Sequence, residues 1–355
     1  MSKIKVLVVD DSAVIRQLVK EILESDSEIE VVAVASDAHF AERKIQVHAP
    51  DVITLDVEMP GMDGITFLEK IMQTNPIPVV MLSSYTDSHA SETFKALELG
   101  AVDFVKKPKI SSSEAIEVLA EELIAKVKAA SKANIRKKES KPALVSARPV
   151  DKELERKHTA PSRIGESIIV LGASTGGTVA ISDFLALLPK DSPGIAIVQH
   201  MPEQFTKAYA DRINGLVKLD VSEARNGDRV RRGIVLIAPG GKHMLLQKDY
   251  QGYYVQVKDG PPVNRHKPSV DVLFRSAASS AGHEAIGIIL TGMGSDGAKG
   301  MRELKDAGAF NIAQSKETCV VFGMPKVAIE LGGVDKIASI EQIPYLLAQR
   351  NRKAS

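Results

Sequence analysis

Ile4-Lys5-Val6-Leu7-Val8-Val9-Asp10-Asp11-Ser12 is a short apolar run that stops on two aspartates and a serine. Six residues are too few for a core helix and suit a buried parallel strand. Similar runs recur at 31–35, 52–55, 79–82 and 101–105. Helical patterns lie between them, clearest where Val14, Leu18 and Ile22 recur beside Ile15, Val19 and Leu23. Five strands alternating with five helices over residues 1–125 predict an α/β domain with a doubly wound parallel sheet.

The alternation stops and then resumes. From 126 to 165 the chain carries twelve lysines and arginines against four acidic residues, with Pro142, Pro149 and Pro161. That composition predicts a frayed helix end and a flexible basic linker. A DNA-binding tail is the alternative, but no recognition helix or interleaved aromatic residues accompany the charge. Strand-like runs return at 168–171, 195–198, 235–238 and 286–290, and a hairpin is expected around Asp249-Tyr250-Gln251-Gly252. Residues 166–350 are therefore a second doubly wound α/β domain, with a β-hairpin insertion. The polar end, 349–355, is expected to fray.

A length of 355 residues exceeds what one core usually holds. The net charge of +1 argues against a whole-molecule nucleic-acid binder. One cysteine, Cys319, rules out an internal disulfide and fits a reducing compartment. The short, charge-flanked apolar start is unlike a signal peptide, and no run reaches the ~20 apolar residues of a membrane helix. The expectation is a cytoplasmic protein that is not membrane-inserted.

Asp10 and Asp11 follow the first strand, Asp56 the third and Lys107 the fifth. Carboxyl ends of central strands converge on one edge of such a sheet. Three carboxylates gathered there repel unless a hard cation such as Mg²⁺ sits among them, and a lysine opposite would bind the phosphate oxygens that Mg²⁺ favours. Helix capping by Ser12 or Asp11 is the bland reading of a single residue, but four groups at matching strand ends outweigh it. Val8-Val9-Asp10-Asp11-Ser12, Leu55-Asp56-Val57-Glu58-Met59-Pro60-Gly61-Met62-Asp63-Gly64, Met81-Leu82-Ser83-Ser84 and Phe104-Val105-Lys106-Lys107-Pro108 resemble the signatures of two-component response-regulator receivers. The resemblance implies that Asp56 accepts a phosphoryl group, and that Asp10, Asp11, Asp56 and the Glu58 carbonyl hold Mg²⁺. It also implies that Ser83 contacts the phosphoryl group, Lys107 pairs with it and Phe104 is the aromatic switch.

In the second half, Ile168-Ile169-Val170-Leu171-Gly172-Ala173-Ser174-Thr175-Gly176-Gly177 runs from strand through a sharp turn into an amphipathic segment. Such a turn exposes the serine hydroxyl beside backbone N–H donors. Helix capping by Ser174 and phosphate binding by the glycine turn are the other readings, although the dinucleotide spacing and the P-loop lysine are both absent. Of eight histidines, His200 and His243 follow strands and are the two candidate bases; His266 lies in a polar loop. Asp296, just past the strand at 286–290, is the candidate orienting carboxylate, unless it caps the next helix.

Gly172-Ala173-Ser174-Thr175-Gly176-Gly177, Gln199-His200-Met201-Pro202, Ala238-Pro239-Gly240-Gly241-Lys242-His243, Leu290-Thr291-Gly292-Met293-Gly294-Ser295-Asp296-Gly297 and Phe322-Gly323-Met324-Pro325 together resemble the chemotaxis protein-glutamate methylesterases, the CheB family. The likeness includes the order receiver, linker, esterase. It implies a serine hydrolase with Ser174, His200 and Asp296 as triad and the Thr175 and Met293 N–H groups as oxyanion hole. It further implies no cofactor for the ester chemistry, chemoreceptors as substrates, glutamine deamidation at the same sites, a histidine kinase as phosphodonor and no nucleic-acid partner. A phosphorylation-dependent binding protein is the competing class, disfavoured by the three polar groups at strand ends.

Overall fold

The computed structural model describes residues 2–83, 87–107, 113–135 and 167–353. In the first half, β1 (Ile4–Val9), β2 (Ile29–Ala35), β3 (Val52–Asp56), β4 (Val79–Ser83) and β5 (Asp103–Lys106) form one parallel sheet in the order β2-β1-β3-β4-β5. The central strands are buried on both faces, which is why they read as unbroken apolar runs. Helices α1 (Ala13–Glu24), α2 (Ala38–His48), α3 (Gly64–Thr74), α4 (Asp87–Leu99) and α5 (Ser113–Ala130) connect and flank them. Ser12 caps α1 by accepting the Ile15 N–H at 3.5 Å, and α1 buries Val19, Ile22 and Leu23. Val14, part of the expected apolar stripe, faces outward.

Helix α5 continues through Lys126–Ala130, where the sequence placed the start of the linker. Val127, Ala129 and Ala130 are buried and hold this last turn against the sheet. Residues 136–166, most of the expected linker, lie outside the described residues.

The second half is a seven-stranded parallel sheet in the order β14-β13-β12-β6-β7-β9-β8. Its strands are β6 (Ile168–Ala173), β7 (Ile195–Gln199), β8 (Asp220–Glu223), β9 (Ile234–Ile237), β12 (Ala285–Ile289), β13 (Phe310–Gln314) and β14 (Lys336–Ala338). The chain leaves β6 towards β7 and later returns to its other side as β12, so a topological switch point opens beside β6. The helices are α6 (Gly177–Ala186), α7 (Glu203–Asn214), α8 (Val270–Ser280), α9 (Ala298–Asp306), α10 (Met324–Glu330) and α11 (Ile343–Lys353). The expected hairpin is present as β10 (His243–Asp249) and β11 (Gly252–Lys258). Its first strand is stapled to α8, with Ser276 Oγ accepting the Leu246 N–H at 2.8 Å and Ser280 Oγ donating to the Leu246 carbonyl at 3.1 Å.

Three strands escaped the sequence reading for identifiable reasons. β8 and β14 are short edge strands. β13 carries Asn311 and Gln314, both fully buried: the Asn311 amide donates to the Met301 and Gly333 carbonyls, and Gln314 accepts the Thr291 N–H. At the end of the chain α11 runs to Lys353 and Arg350 donates to the Ala285 carbonyl at 3.0 Å, so the expected fraying does not begin at 349; residues 354–355 lie outside the described residues.

The two halves pack through an aromatic seam. Phe104 lies 4.6 Å from Phe205, centroid to centroid, and Phe94 lies 5.5 Å from Tyr209 and edge-on to Phe205. Tyr209 is buried, and its hydroxyl donates to the Thr178 carbonyl at 2.9 Å, tying α7 to α6. Replacing Tyr209 with Phe removes that hydrogen bond. It is expected to cost about 1–2 kcal/mol, read as a lower midpoint of thermal unfolding by circular dichroism.

Candidate active site

Ser174 stands at the carboxyl end of β6, in the turn before α6. It does not cap that helix: the N-cap is Gly176, at φ +75, with no side-chain capping bond. A left-handed residue there reverses the chain sharply. The Ser174 N–H donates to the Thr291 carbonyl at 3.0 Å, and its carbonyl accepts from the Gln199 amide at 3.0 Å and the Gly177 N–H at 2.7 Å. The same Gln199 amide donates to the His200 carbonyl at 3.1 Å, and the His200 N–H donates to the Ala173 carbonyl at 3.1 Å. The turns after β6 and β7 are thus stitched together before any side-chain chemistry begins.

The loop after β12 completes the edge. A Cβ on Gly292 would come within 2.8 Å of the Ser174 Cβ, so only glycine allows this close pass. The Gly292 carbonyl is held by the N–H groups of Gly323 and Met324 at 3.1 and 2.8 Å, which gives the Phe322–Pro325 motif a structural task. Among the described residues, the Thr175 and Met293 N–H groups have no hydrogen-bond acceptor. Both flank this crossing of the two loops, a position from which two N–H groups could donate to one oxyanion.

His200 and Asp296 are brought together: His200 Nε2 lies 2.9 Å from Asp296 Oδ2. The carboxylate can only accept, so Nε2 carries a proton, and in the neutral ring Nδ1 presents the lone pair. Nδ1 is buried and has no partner among the described residues. Asp296 is buried and does not cap α9, whose N-cap is Gly297. It lies instead at the N-terminus of α8. Oδ2 also accepts the Val270 N–H at 2.7 Å, while Oδ1 accepts from Asn264 at 2.8 Å, Ser269 Oγ at 2.8 Å and the Asp271 N–H at 3.2 Å. Burial by itself would raise this carboxyl. The hydrogen bond and charge of His200, joined by Asn264 and Ser269, outweigh burial and hold it below the usual carboxylate range.

His243, the other candidate base, is placed elsewhere. It is buried, its Nδ1 accepts the Ser269 N–H at 3.3 Å, and its Nε2 donates to the Pro261 carbonyl at 2.9 Å. Both ring nitrogens are used in holding the 261–269 loop. His266, read only as a loop residue, lies face to face with His200, centroids 3.7 Å apart and planes 11° apart. Burial first, then the neighbouring His200, pushes His266 down to about 3.

At the first sheet's edge, carboxylate oxygens of Asp10, Asp11 and Asp56 lie within 4.8 Å of one another. Lys107 Nζ reaches Asp10 at 2.8 Å and Asp56 at 2.6 Å. Burial pushes Asp56 up to about 6, with the Asp10 charge adding to the effect and Lys107 opposing it. An all-oxygen set that includes the exposed Asp11 suits a hard cation such as Mg²⁺, which would relieve that repulsion. Asp56 Oδ1 accepts the Glu58 N–H at 3.1 Å. Ser83 Oγ lies 2.8 Å from Thr93 Oγ1, and Phe104 is buried in the aromatic seam.

The CheB methylesterase family matches residues 169–347, and the response regulator receiver domain family matches residues 6–120. The chain belongs to the CheB methylesterase family. Protein-glutamate methylesterase/protein-glutamine glutaminase 1 of Geobacter metallireducens is 51% identical over 363 residues, covering 98% of this chain and 98% of that protein. Protein-glutamate methylesterase/protein-glutamine glutaminase 2 of Rhizobium johnstonii is 53% identical over 351 residues, 96% of each. The crystal structure of the Thermotoga maritima CheB methylesterase catalytic domain covers 53% of this chain and 100% of its own, at 40% identity and a TM-score of 0.51.

Sequence reasoning missed Asn264, Ser269, Asp271 and His266. Their only signal is a polar loop before a helix, and nothing in that pattern says which strand end it will cover. No described helix is long and apolar enough to cross a membrane. For the receiver, Mg²⁺ is expected to stabilise the fold by about 2.7 kcal/mol at 100-fold excess over its Kd, seen as a thermal midpoint that keeps rising with the logarithm of Mg²⁺ concentration. Asp11→Asn should blunt that rise, as read by calorimetry across a Mg²⁺ titration.

Proposed function

We propose that this chain is a cytoplasmic serine hydrolase that removes methyl groups from methylated glutamates of chemoreceptors, and that it deamidates receptor glutamines at the same site. The observation that carries this reading is the buried Asp296–His200 pair at the switch point beside the Ser174 turn. Ser174 Oγ attacks the ester carbonyl while His200 Nδ1 takes the hydroxyl proton, and the Thr175 and Met293 N–H groups receive the oxyanion. Collapse of the tetrahedral intermediate breaks the ester C–O bond, and His200 returns the proton to the departing methoxide as methanol. Water, deprotonated by His200, then cleaves the acyl-serine and frees the glutamate. With glutamine the leaving group is ammonia, and the stronger amide makes the reaction slower. Asp296 keeps the imidazole in the Nε2–H tautomer and stabilises its cation.

In this proposal residues 1–125 are a receiver phosphorylated on Asp56 by a histidine kinase, residues 126–165 connect it, and residues 166–350 do the chemistry. Asp10, Asp11, Asp56 and the Glu58 carbonyl would hold the Mg²⁺ that phosphoryl transfer requires, with Lys107 and Ser83 on the phosphoryl oxygens. The unphosphorylated receiver restrains the esterase, which serves chemotactic adaptation. Support for restraint comes from contacts at the site itself: Thr175 Oγ1 donates to Asp103 Oδ2 at 2.7 Å, and Asp103 precedes the Phe104 that packs on Phe205. Arg212 pairs with Glu98 beside them. Phosphorylation shifts the population away from this docked arrangement.

Methanol release from methylated chemoreceptor membranes tests the chemistry. Ser174→Ala should abolish it, and Asp296→Asn should lower kcat by roughly 10³- to 10⁴-fold; near-normal release from Ser174→Ala would sink the assignment. Acetyl phosphate with Mg²⁺ should stimulate the intact protein and leave Asp56→Asn unstimulated. A chain lacking residues 1–165 should work roughly tenfold faster than the intact unphosphorylated chain, equivalent to about 1.4 kcal/mol of docking. Equal rates would count against restraint by the receiver.

A further inference from the structure

Val263 and His266 close a two-residue turn with reciprocal backbone hydrogen bonds of 3.0 and 2.9 Å. Asn264 and Arg265 between them both have positive φ, +52 and +67. Asparagine tolerates that region and arginine does so at a cost, so the surrounding structure has to hold the turn. His243 does this from behind, fixing Pro261 on one side and Ser269 on the other. The turn then delivers two side chains to one place. The Asn264 amide bridges Asp296 Oδ1 at 2.8 Å and Asp271 Oδ2 at 2.6 Å, and the His266 ring lies flat on His200.

His200 needs such support because its ring is otherwise pinned by one hydrogen bond. Nε2 is tied to Asp296, while Nδ1 has no partner among the described residues. A ring held at a single atom can swivel about that bond and change the direction in which Nδ1 points. A parallel ring at van der Waals distance removes the freedom. It also presents an uncharged ring to the imidazolium that forms during turnover, so it adds no like charge beside it. His266 is suited to that duty because it stays uncharged at neutral pH.

We propose that His266 is a positioning residue for the reaction, holding the His200 imidazole in plane between Asp296 and Ser174 and supporting its protonated form. The proposal rests on the esterase reading above. Its test uses the intact protein activated with acetyl phosphate and Mg²⁺, on methylated receptor membranes. His266→Ala should lower kcat by about 10- to 100-fold with KM held within about twofold, the signature of lost alignment rather than lost binding. His266→Phe keeps a flat aromatic face and should recover kcat to within about threefold of wild type. Equal losses in Ala and Phe, or a change confined to KM, would overturn the proposal. If the wild-type protein itself released no methanol, the esterase reading would be the part that failed. Histidine-selective NMR then decides the positioning claim by itself. The His200 Nε2 proton should exchange with water faster in His266→Ala and remain protected in His266→Phe; unchanged protection in Ala would reject it.

Discussion

A carboxylate taken almost wholly out of water has to be surrounded by donors, and the second half of this protein is organised around meeting that demand for Asp296. Five groups supply it: the N–H groups of Val270 and Asp271 at the start of α8, the Ser269 hydroxyl, the Asn264 amide and the His200 imidazole. Each donor fixes a piece of chain. The helix terminus is set against the loop after β12, the 263–266 turn is drawn over the site, and the imidazole is left in one tautomer. The charge that a reaction would use is the same charge that orders the loops around it.

The parallel sheet makes this possible at low cost. Because β6, β7 and β12 all point the same way, the turns that follow them emerge at one edge, and the order reversal beside β6 opens a gap between them. Ser174, His200 and Asp296 come from three separate turns that backbone hydrogen bonds already lock together. The receiver's β1, β3 and β5 use the same principle to gather Asp10, Asp11, Asp56 and Lys107. One architecture, used twice in the chain, places a candidate cation-binding edge and a candidate hydrolytic edge. The aromatic seam of Phe94, Phe104, Phe205 and Tyr209 then joins the two bodies, so the expected switch residue Phe104 is packed directly on the catalytic half.

Much of the site was legible because strand ends are legible. Apolar runs that are buried on both faces cannot be mistaken for solvent-exposed turns, and the polar residue that ends each run marks the functional edge. Helix capping was the bland alternative for Ser174 and Asp296, and Gly176 and Gly297 occupy the capping positions instead. His200 and His243 could not be separated by sequence, since both follow strands. The difference lies in partners: His243 spends both nitrogens on Pro261 and Ser269, whereas His200 keeps one available. β13 was missed because buried Asn311 and Gln314 interrupt its apolar pattern, and the Asn311 amide bonds to the Met301 and Gly333 carbonyls and the Thr291 N–H bond to Gln314 offset that burial.

The sequence by itself determined the alternation of strands and helices, the change in composition from residue 126, and the polar residues that end each central strand. These follow from local periodicity and from what a buried strand can contain. Only the tertiary structure decided which polar groups meet. The stacking of His266 on His200, the bridge from Asn264 to Asp296 and Asp271, and the bond from Thr175 to Asp103 join residues whose neighbourhood depends on strand order and on how the two halves pack. Those contacts are long-range, and periodicity within one segment carries no information about them.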